Sequence, residues 1–228
     1  MLINILFSNN LNADQAVIIF IISLVVFMFS LAMHEFAHGF AAHKMGDDTP
    51  KLAGRLTLNP FSHLDLTGFI CFALFGVGWA KPVPINPIKF KKYRKGIRWV
   101  SISGVLVNVL LGLLAAGIHA VLLATVGIPN TAMQYVYYAL DTIMWVNSFL
   151  AMFNILPIYP LDGFNFITSF MKSSNIFIHF SIRNGLKIVI GLLLASTLIE
   201  FMFNIDIFAY YLSVLYEWVF SKIAFIGV

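Results

Sequence analysis

Long apolar runs dominate the chain. They cover roughly residues 15–42, 99–126, 133–156, 184–205 and 207–226. Each is near the ~20 residues a helix needs to cross a bilayer. The pattern predicts five spanning helices, the last two joined closely through Asn204, Ile205 and Asp206. A shorter run, 68–80, cannot cross as a helix and predicts a re-entrant or interfacial segment. Arg55-Leu56-Thr57-Leu58 alternates before the break at Asn59-Pro60, which allows one short strand. The stretch Lys81-Pro82-Val83-Pro84-Ile85-Asn86-Pro87 predicts extended chain at the membrane surface. There is no internal repeat, linker or low-complexity tract, so residues 1–228 read as a single integral-membrane domain.

Composition sharpens this picture. Sixty per cent of the 228 residues are hydrophobic and 11% are charged, against roughly 45–50% and 25% in soluble domains. Such a chain cannot cover its apolar residues with polar ones. A water-soluble enzyme, a nucleic-acid binder and a disordered tail are excluded. An outer-membrane barrel is excluded too, because the runs are continuous rather than alternating. The expected class is an all-α membrane protein, a polytopic bundle of about five transmembrane helices plus the short segment. The first run is no signal peptide: no Lys or Arg precedes it and it is too long for an h-region. The lone cysteine, Cys71, permits no intrachain disulfide.

Charge sets the expected orientation. Ten of the fourteen Lys and Arg lie between Lys44 and Arg98, which places that loop in the cytoplasm by the positive-inside rule. The N-terminus and the link Gly127-Ile128-Pro129-Asn130 then lie outside. Lys172, Arg183 and Lys222 fall inside, in agreement with five crossings. The net charge of +4 is therefore read as topogenic rather than as a sign of an anionic partner.

The first run contains His34-Glu35-Phe36-Ala37-His38. On a helix, positions i and i+4 share a face, so two imidazoles can meet one metal ion. Glu35 then stands beside a water whose pKa zinc lowers to about 7, and a carboxylate can take its proton. Two His and a Glu are costly within an apolar helix. Phe40, Ala41 and Ala42 continue that helix, so the motif lies within the membrane, nearer the cytoplasmic side. His43 falls about 180° from His34 around the helix and reads as an interfacial residue.

Catalytic zinc takes three protein ligands and keeps one position open. Asp47 and Asp48 are near in sequence, but with Gly46 and Thr49-Pro50 they read as a solvated turn. Asp162 is the better candidate. It follows Asn154-Ile155-Leu156-Pro157-Ile158-Tyr159-Pro160-Leu161, where two prolines end or unwind the third long helix. Broken backbone at membrane depth is tolerated where it lines protein or a wet cavity.

His34-Glu35-x-x-His38, followed by Asn154-x-x-Pro157-x-x-Pro160-Leu161-Asp162-Gly163, resembles the site-2 protease family of intramembrane zinc metalloproteases. The stretches 51–60 and 78–84 look like its compact bacterial branch. The resemblance spans roughly residues 16–166, leaving 184–226 as C-terminal helices. It implies that His34, His38 and Asp162 hold one Zn2+, that Glu35 is the general base and acid, and that Asn154 stabilises the oxyanion. Gly104 and Asn108 are similar to the family's Gly-x-x-x-Asn element near the substrate site. Val105 stands where the family often has Pro, and Phe164 where it often has a second Gly. Larger members carry PDZ or CBS domains, for which this chain has no room.

The expectation is hydrolysis of peptide bonds in or near transmembrane segments of a membrane-protein substrate, at the bacterial inner membrane, with the active site toward the cytoplasm. The lipid bilayer is the other expected partner, and no nucleic acid is. A substrate helix must unwind locally before cleavage, and 68–80 with the Pro-rich stretch is the expected lip that receives it. Asn147, seven residues before Asn154 on nearly the same face, reads as support for the site. His119, Asp141 and Glu200 read as helix-to-helix hydrogen bonders. The alternatives are a metal-ion transporter, since broken helices with intramembrane His and Asp also suit ion pathways, and a catalytically silent scaffold.

Overall fold

The computed structural model describes residues 12–75, 78–203 and 207–224. The expected link at Asn204, Ile205 and Asp206 lies outside these residues, as does the side chain of Glu200. Helix α1 runs Ala13–Met45, α2 Thr49–Leu52, α3 Leu66–Phe75, α4 Tyr93–Thr125, α5 Thr131–Asn154, α6 Asp162–Thr168 and α7 Ile176–Phe203. Short helices α8 (Ile207–Leu212) and α9 (Ser221–Ile223) follow. Among the described residues, three helical stretches are long and apolar enough to cross a membrane: α1, α4 and the part of α7 from Ile176 to Ser196.

Local chemistry explains the ends of α1. Asn12 and Gln15 form a reciprocal cap at its start. Gly46 ends it in the left-handed conformation, φ 108°, with the N–H groups of Gly46 and Asp47 returning to His43 and Ala42 carbonyls. Asn130 caps α5 by accepting the Met133 N–H at 2.9 Å.

Two of the five expected spans differ. Residues 131–154 do form a 24-residue helix, but Gln134, Asp141 and Asn147 dilute its apolarity. It packs against α1 and α4 and buries Met144, Asn147 and Ser148 completely, so its inward face contacts protein rather than lipid. The run 207–226 is not one continuous helix. The Ser148 hydroxyl donates to the Leu212 carbonyl at 2.8 Å and accepts the Tyr216 N–H at 3.1 Å. It thereby takes over the backbone bond that would link those two residues, and a π-helical turn follows at Tyr216–Phe220. Residues 55–58 form no strand; the chain bends at Leu56 and Thr57. Their backbone has no partner strand to pair with; among the described residues only an isolated bridge joins Leu64 and Ala80.

The bundle is apolar outside and partly polar inside. Val17, Ile21, Val25 and Phe29 form an exposed stripe along α1, while Ser23, Ser30, His34 and His38 are buried on its other side. On α4, Leu106, Leu110, Leu114 and Ile118 are exposed, while Ser101, Asn108 and His119 are buried. This arrangement suits a lipid solvent, which rewards apolar surface and leaves polar groups to find each other. Helix α3 is too short to span. It docks on α1 through Phe72, whose ring stacks on Phe27 with centroids 3.5 Å apart.

The turn after α1 is not the solvated turn the sequence suggests. Asp48 is exposed and pairs with His43, but Asp47 is fully buried. Its carboxylate accepts the Thr49 N–H and hydroxyl and, at 2.6 Å, the Asn86 N–H. The extended 78–86 segment is thus tied to the end of α1. Lys81 N–H to the His63 carbonyl at 2.9 Å fixes its other end. Burial opposes ionisation of Asp47, yet the hydrogen bonds from Thr49 and Asn86, with Lys89 nearby, hold its carboxyl below the usual carboxylate range. The folded form therefore binds its proton less well than the unfolded form. The stability this contributes is complete above about pH 4 and is lost as pH falls through the lower, folded value. Asp47→Ala is expected to cost about 2–3 kcal/mol, read from unfolding in detergent, and to remove this acid-dependent loss of stability.

Candidate metal centre

His34 and His38 are one turn apart on α1, and both rings point into the bundle, 4% and 7% exposed. Asp162 is the first residue of α6. The chain reaches it through the turns that follow α5, and Gly163 lets α6 press on the backbone of Ile155 and Leu156, where a Cβ would collide. The result brings His34, His38 and Asp162 together with one ligand atom each, all within 4.8 Å of one another. The Asp162 Oδ2 lies 3.3 Å from His34 Nε2 and 3.1 Å from His38 Nε2. The two Nε2 atoms are 3.0 Å apart.

The far side of each ring shows what these inner atoms are. His38 Nδ1 lies 2.7 Å from the Val100 carbonyl, which only accepts, so this nitrogen carries a proton. His34 Nδ1 donates in the same way to Asn108 Oδ1 at 2.6 Å. In neutral imidazoles both Nε2 atoms are then bare lone pairs, facing each other and a carboxylate oxygen. Asp162 Oδ2 is buried and has no hydrogen-bond donor. Three acceptors converge on one point, where a metal cation can meet all three at once. Two imidazoles and a carboxylate with their outer nitrogens held are a zinc-type donor set. The residues present fit such an ion.

Gly104 on α4 faces this group. A Cβ there would fall 2.5 Å from His34 Cε1 and 2.6 Å from His38 Nε2. Its role in the structure is close approach of α4 to the imidazoles. Asn108 is fully buried, and its amide is spent on His34 and Asn147 rather than on an open surface. Glu35 is partly buried, and its Oε2 accepts the Val83 N–H at 2.9 Å, which seats the extended 78–86 segment against the motif helix. Asn154 ends α5 and donates its amide back to the Leu150 carbonyl at 2.9 Å. His119 donates to the Ala224 carbonyl and Asp141 accepts the Tyr216 hydroxyl, both helix-to-helix bonds. Sequence reasoning missed Ser30, which receives a hydrogen bond from Asn147. Its only signal is its place one turn before His34 on the same face. It also missed the Val83 contact, which no spacing rule announces.

Fold and donor set together define a helical membrane protein with a two-histidine, one-carboxylate metal centre. The chain is 40% identical over 153 residues to "Putative zinc metalloprotease YwhC" of Bacillus subtilis, a match covering 64% of this chain and 66% of that protein. It is 28% identical over 152 residues to "Putative zinc metalloprotease Rip2" of Mycolicibacterium smegmatis, and 29% over 160 residues to the protein of that name in Mycobacterium tuberculosis. These two matches cover 64% of this chain and 56% of each relative. The chain thus spans just under two thirds of the first relative and little more than half of the others. No family model and no solved structure matches it. With the two motifs, these relationships place the chain in the site-2 protease-like family.

A bound ion stabilises the folded state by mass action, about 2.7 kcal/mol at a hundredfold excess over its dissociation constant. Stripping the purified protein with a chelator is expected to lower its melting midpoint, and adding zinc to restore it. Asp162→Asn is expected to lose most of the zinc-dependent rise, measured by thermal unfolding alongside elemental analysis.

Proposed function

We propose that the protein is a zinc-dependent endopeptidase that cleaves membrane-protein substrates in or beside the bilayer. The observation that carries this reading is the convergence of His34, His38 and Asp162 inside an apolar bundle, with Glu35 on the turn between the two histidines. The names of the relatives support it.

His34, His38 and Asp162 would hold the zinc. When bound, it supplies Lewis acidity to a peptide carbonyl and makes water a better acid. Glu35 is the general base. Val83 N–H holds its Oε2, so Oε1 takes the proton from the attacking water and later returns it to the leaving amine. Holding one carboxylate oxygen fixes the other in place. Asn154 stands at the end of α5 with one amide hydrogen on Leu150; the second hydrogen is available to a developing oxyanion. The extended 78–86 segment, anchored at His63, Asp47 and Glu35, is a firm lip against which an unwound substrate segment lies. The cytoplasmic placement of the site rests on the block of Lys and Arg between residues 44 and 98, and the membrane it occupies is the bacterial inner membrane.

Glu35→Gln keeps size and polarity and removes the base. It is expected to lower cleavage of membrane proteins by the purified chain in vesicles by at least ~100-fold while zinc content stays at the wild-type level. Cleavage unchanged by this substitution would refute the mechanism.

A further inference from the structure

Behind His34 lies a row of buried polar side chains that crosses three helices. His34 Nδ1 donates to Asn108 Oδ1 at 2.6 Å, and Asn108 Nδ2 donates to Asn147 Oδ1 at 2.7 Å. Asn147 Nδ2 in turn donates to the Ile143 carbonyl at 2.8 Å and to Ser30 Oγ at 3.0 Å. His34 is 4% exposed, Ser30 1%, and Asn108 and Asn147 not at all. Water therefore cannot substitute for any link.

An amide can be turned around, so a row of this kind has two directions. In the reverse direction Asn108 would offer N–H to His34 Nδ1, and His34 would carry its proton on Nε2, pointing at Asp162 and His38. Asn147 would then have to present Oδ1 to the Ile143 carbonyl. Both atoms are acceptors, and in a buried site that pairing leaves two polar groups unsatisfied. A main-chain carbonyl has no second role to switch to. Ser30 does not decide the matter, because a hydroxyl donates or accepts as required.

We infer that Asn147, referenced to the Ile143 carbonyl, is a positioning residue that sets the tautomer of His34 through Asn108, so that Nε2 faces Asp162 as a bare lone pair ready for a metal ion. The inference builds on the zinc-centre reading above and assigns it a control element one residue beyond the side chain that touches the ligand. Asn147 touches no ligand atom itself. Its action passes through Asn108 alone.

The test uses the full chain in detergent micelles or nanodiscs with two readouts. The first is zinc affinity, by competition with a chelating dye. The second is the protonation of the His34 ring nitrogens in metal-free protein, by nitrogen-15 resonance of labelled histidine, assigned by loss of the signal in His34→Gln. Asn147→Ala and Asn147→Leu both remove the acceptor that takes the Asn108 N–H and the donor that meets Ile143, so neither direction of the Asn108 amide is preferred. Both are expected to weaken zinc binding ~10–100-fold, the usual loss when a partner of a ligating histidine is removed. Both are also expected to move His34 away from the single Nδ1–H form. Asn147→Asp only accepts, so it still takes the Asn108 N–H and is expected to keep the Nδ1–H form. Ser30→Ala is expected to leave the tautomer and the affinity near wild type, since Ile143 alone fixes the direction. Ser148→Ala, equally buried on α5 but bonded to Leu212 and Tyr216, controls for packing: it is expected to lower the melting midpoint and leave zinc affinity unchanged. The proposal is overturned if Asn147→Ala binds zinc within ~3-fold of wild type or keeps the wild-type tautomer, or if Asn147→Asp changes that tautomer. It is also overturned if Ser148→Ala weakens zinc as much as Asn147→Ala does. Wild-type protein that takes up no zinc would sink the metal-centre reading, and the histidine resonances would still decide the relay. If Asn147→Leu does not fold, Asn147→Ala carries the test.

Discussion

Three lone pairs facing one another inside an apolar bundle are the constraint around which the rest of the structure is arranged. His34 Nε2, His38 Nε2 and Asp162 Oδ2 have no donor among them once both Nδ1 atoms carry protons. They are held together by everything behind them: Val100 behind one ring, Asn108 behind the other, and Gly163 letting α6 settle onto the unwound backbone after α5. Holding three metal-ligating atoms at one point needs helices that do not yield. That explains why Ser30, His34, Asn108 and Asn147, drawn from α1, α4 and α5, lie in one connected row.

The membrane makes that row affordable to keep. In water an inward-facing Asn or Ser competes with solvent. In lipid the outer face is satisfied by the Leu and Ile stripes, and inward polar groups have only each other. The same logic breaks the C-terminal run, where Ser148 intercepts a backbone bond of the neighbouring segment. It also ties the extended 78–86 segment to α1 through two carboxylates, Asp47 and Glu35, each accepting a main-chain N–H. Extended chain beside a membrane needs such acceptors, because it has no helix ladder to use its own donors.

Much of this was legible from residues alone. The long apolar runs announced helices, and the spacing of His34 and His38 put two ligands on one face. The prolines around Asp162 announced a break that could present a third. What stayed hidden has a common cause. Hydropathy reads average polarity, so it took the 207–226 run as one helix and could not see a single hydroxyl from α5 dividing it. Alternation at residues 55–58 looked like a strand because a strand's pattern is local while its partner is not. Asp47 looked solvated because a turn after a helix usually is; the 86th residue that buries it lies 39 positions on. Asn108 carried a motif that pointed toward substrate, and only the packing of α4 against α1 and α5 shows its amide committed to His34 and Asn147. Ser30 bore no signal beyond its helical register.

Gly104 gives the site its room. Helix α4 lends no ligand to the metal group, yet it runs so close to both imidazoles that the space between them exists because one side chain stops at hydrogen. Alanine differs from glycine by a methyl group, and that methyl would stand where the rings now meet the gap. An active centre and an inert seam between the same helices are therefore neighbours in sequence space. Descendants of such a chain could keep every ligand and every helix and still lose the ion, marked only by the glycine of the Gly-x-x-x-Asn element.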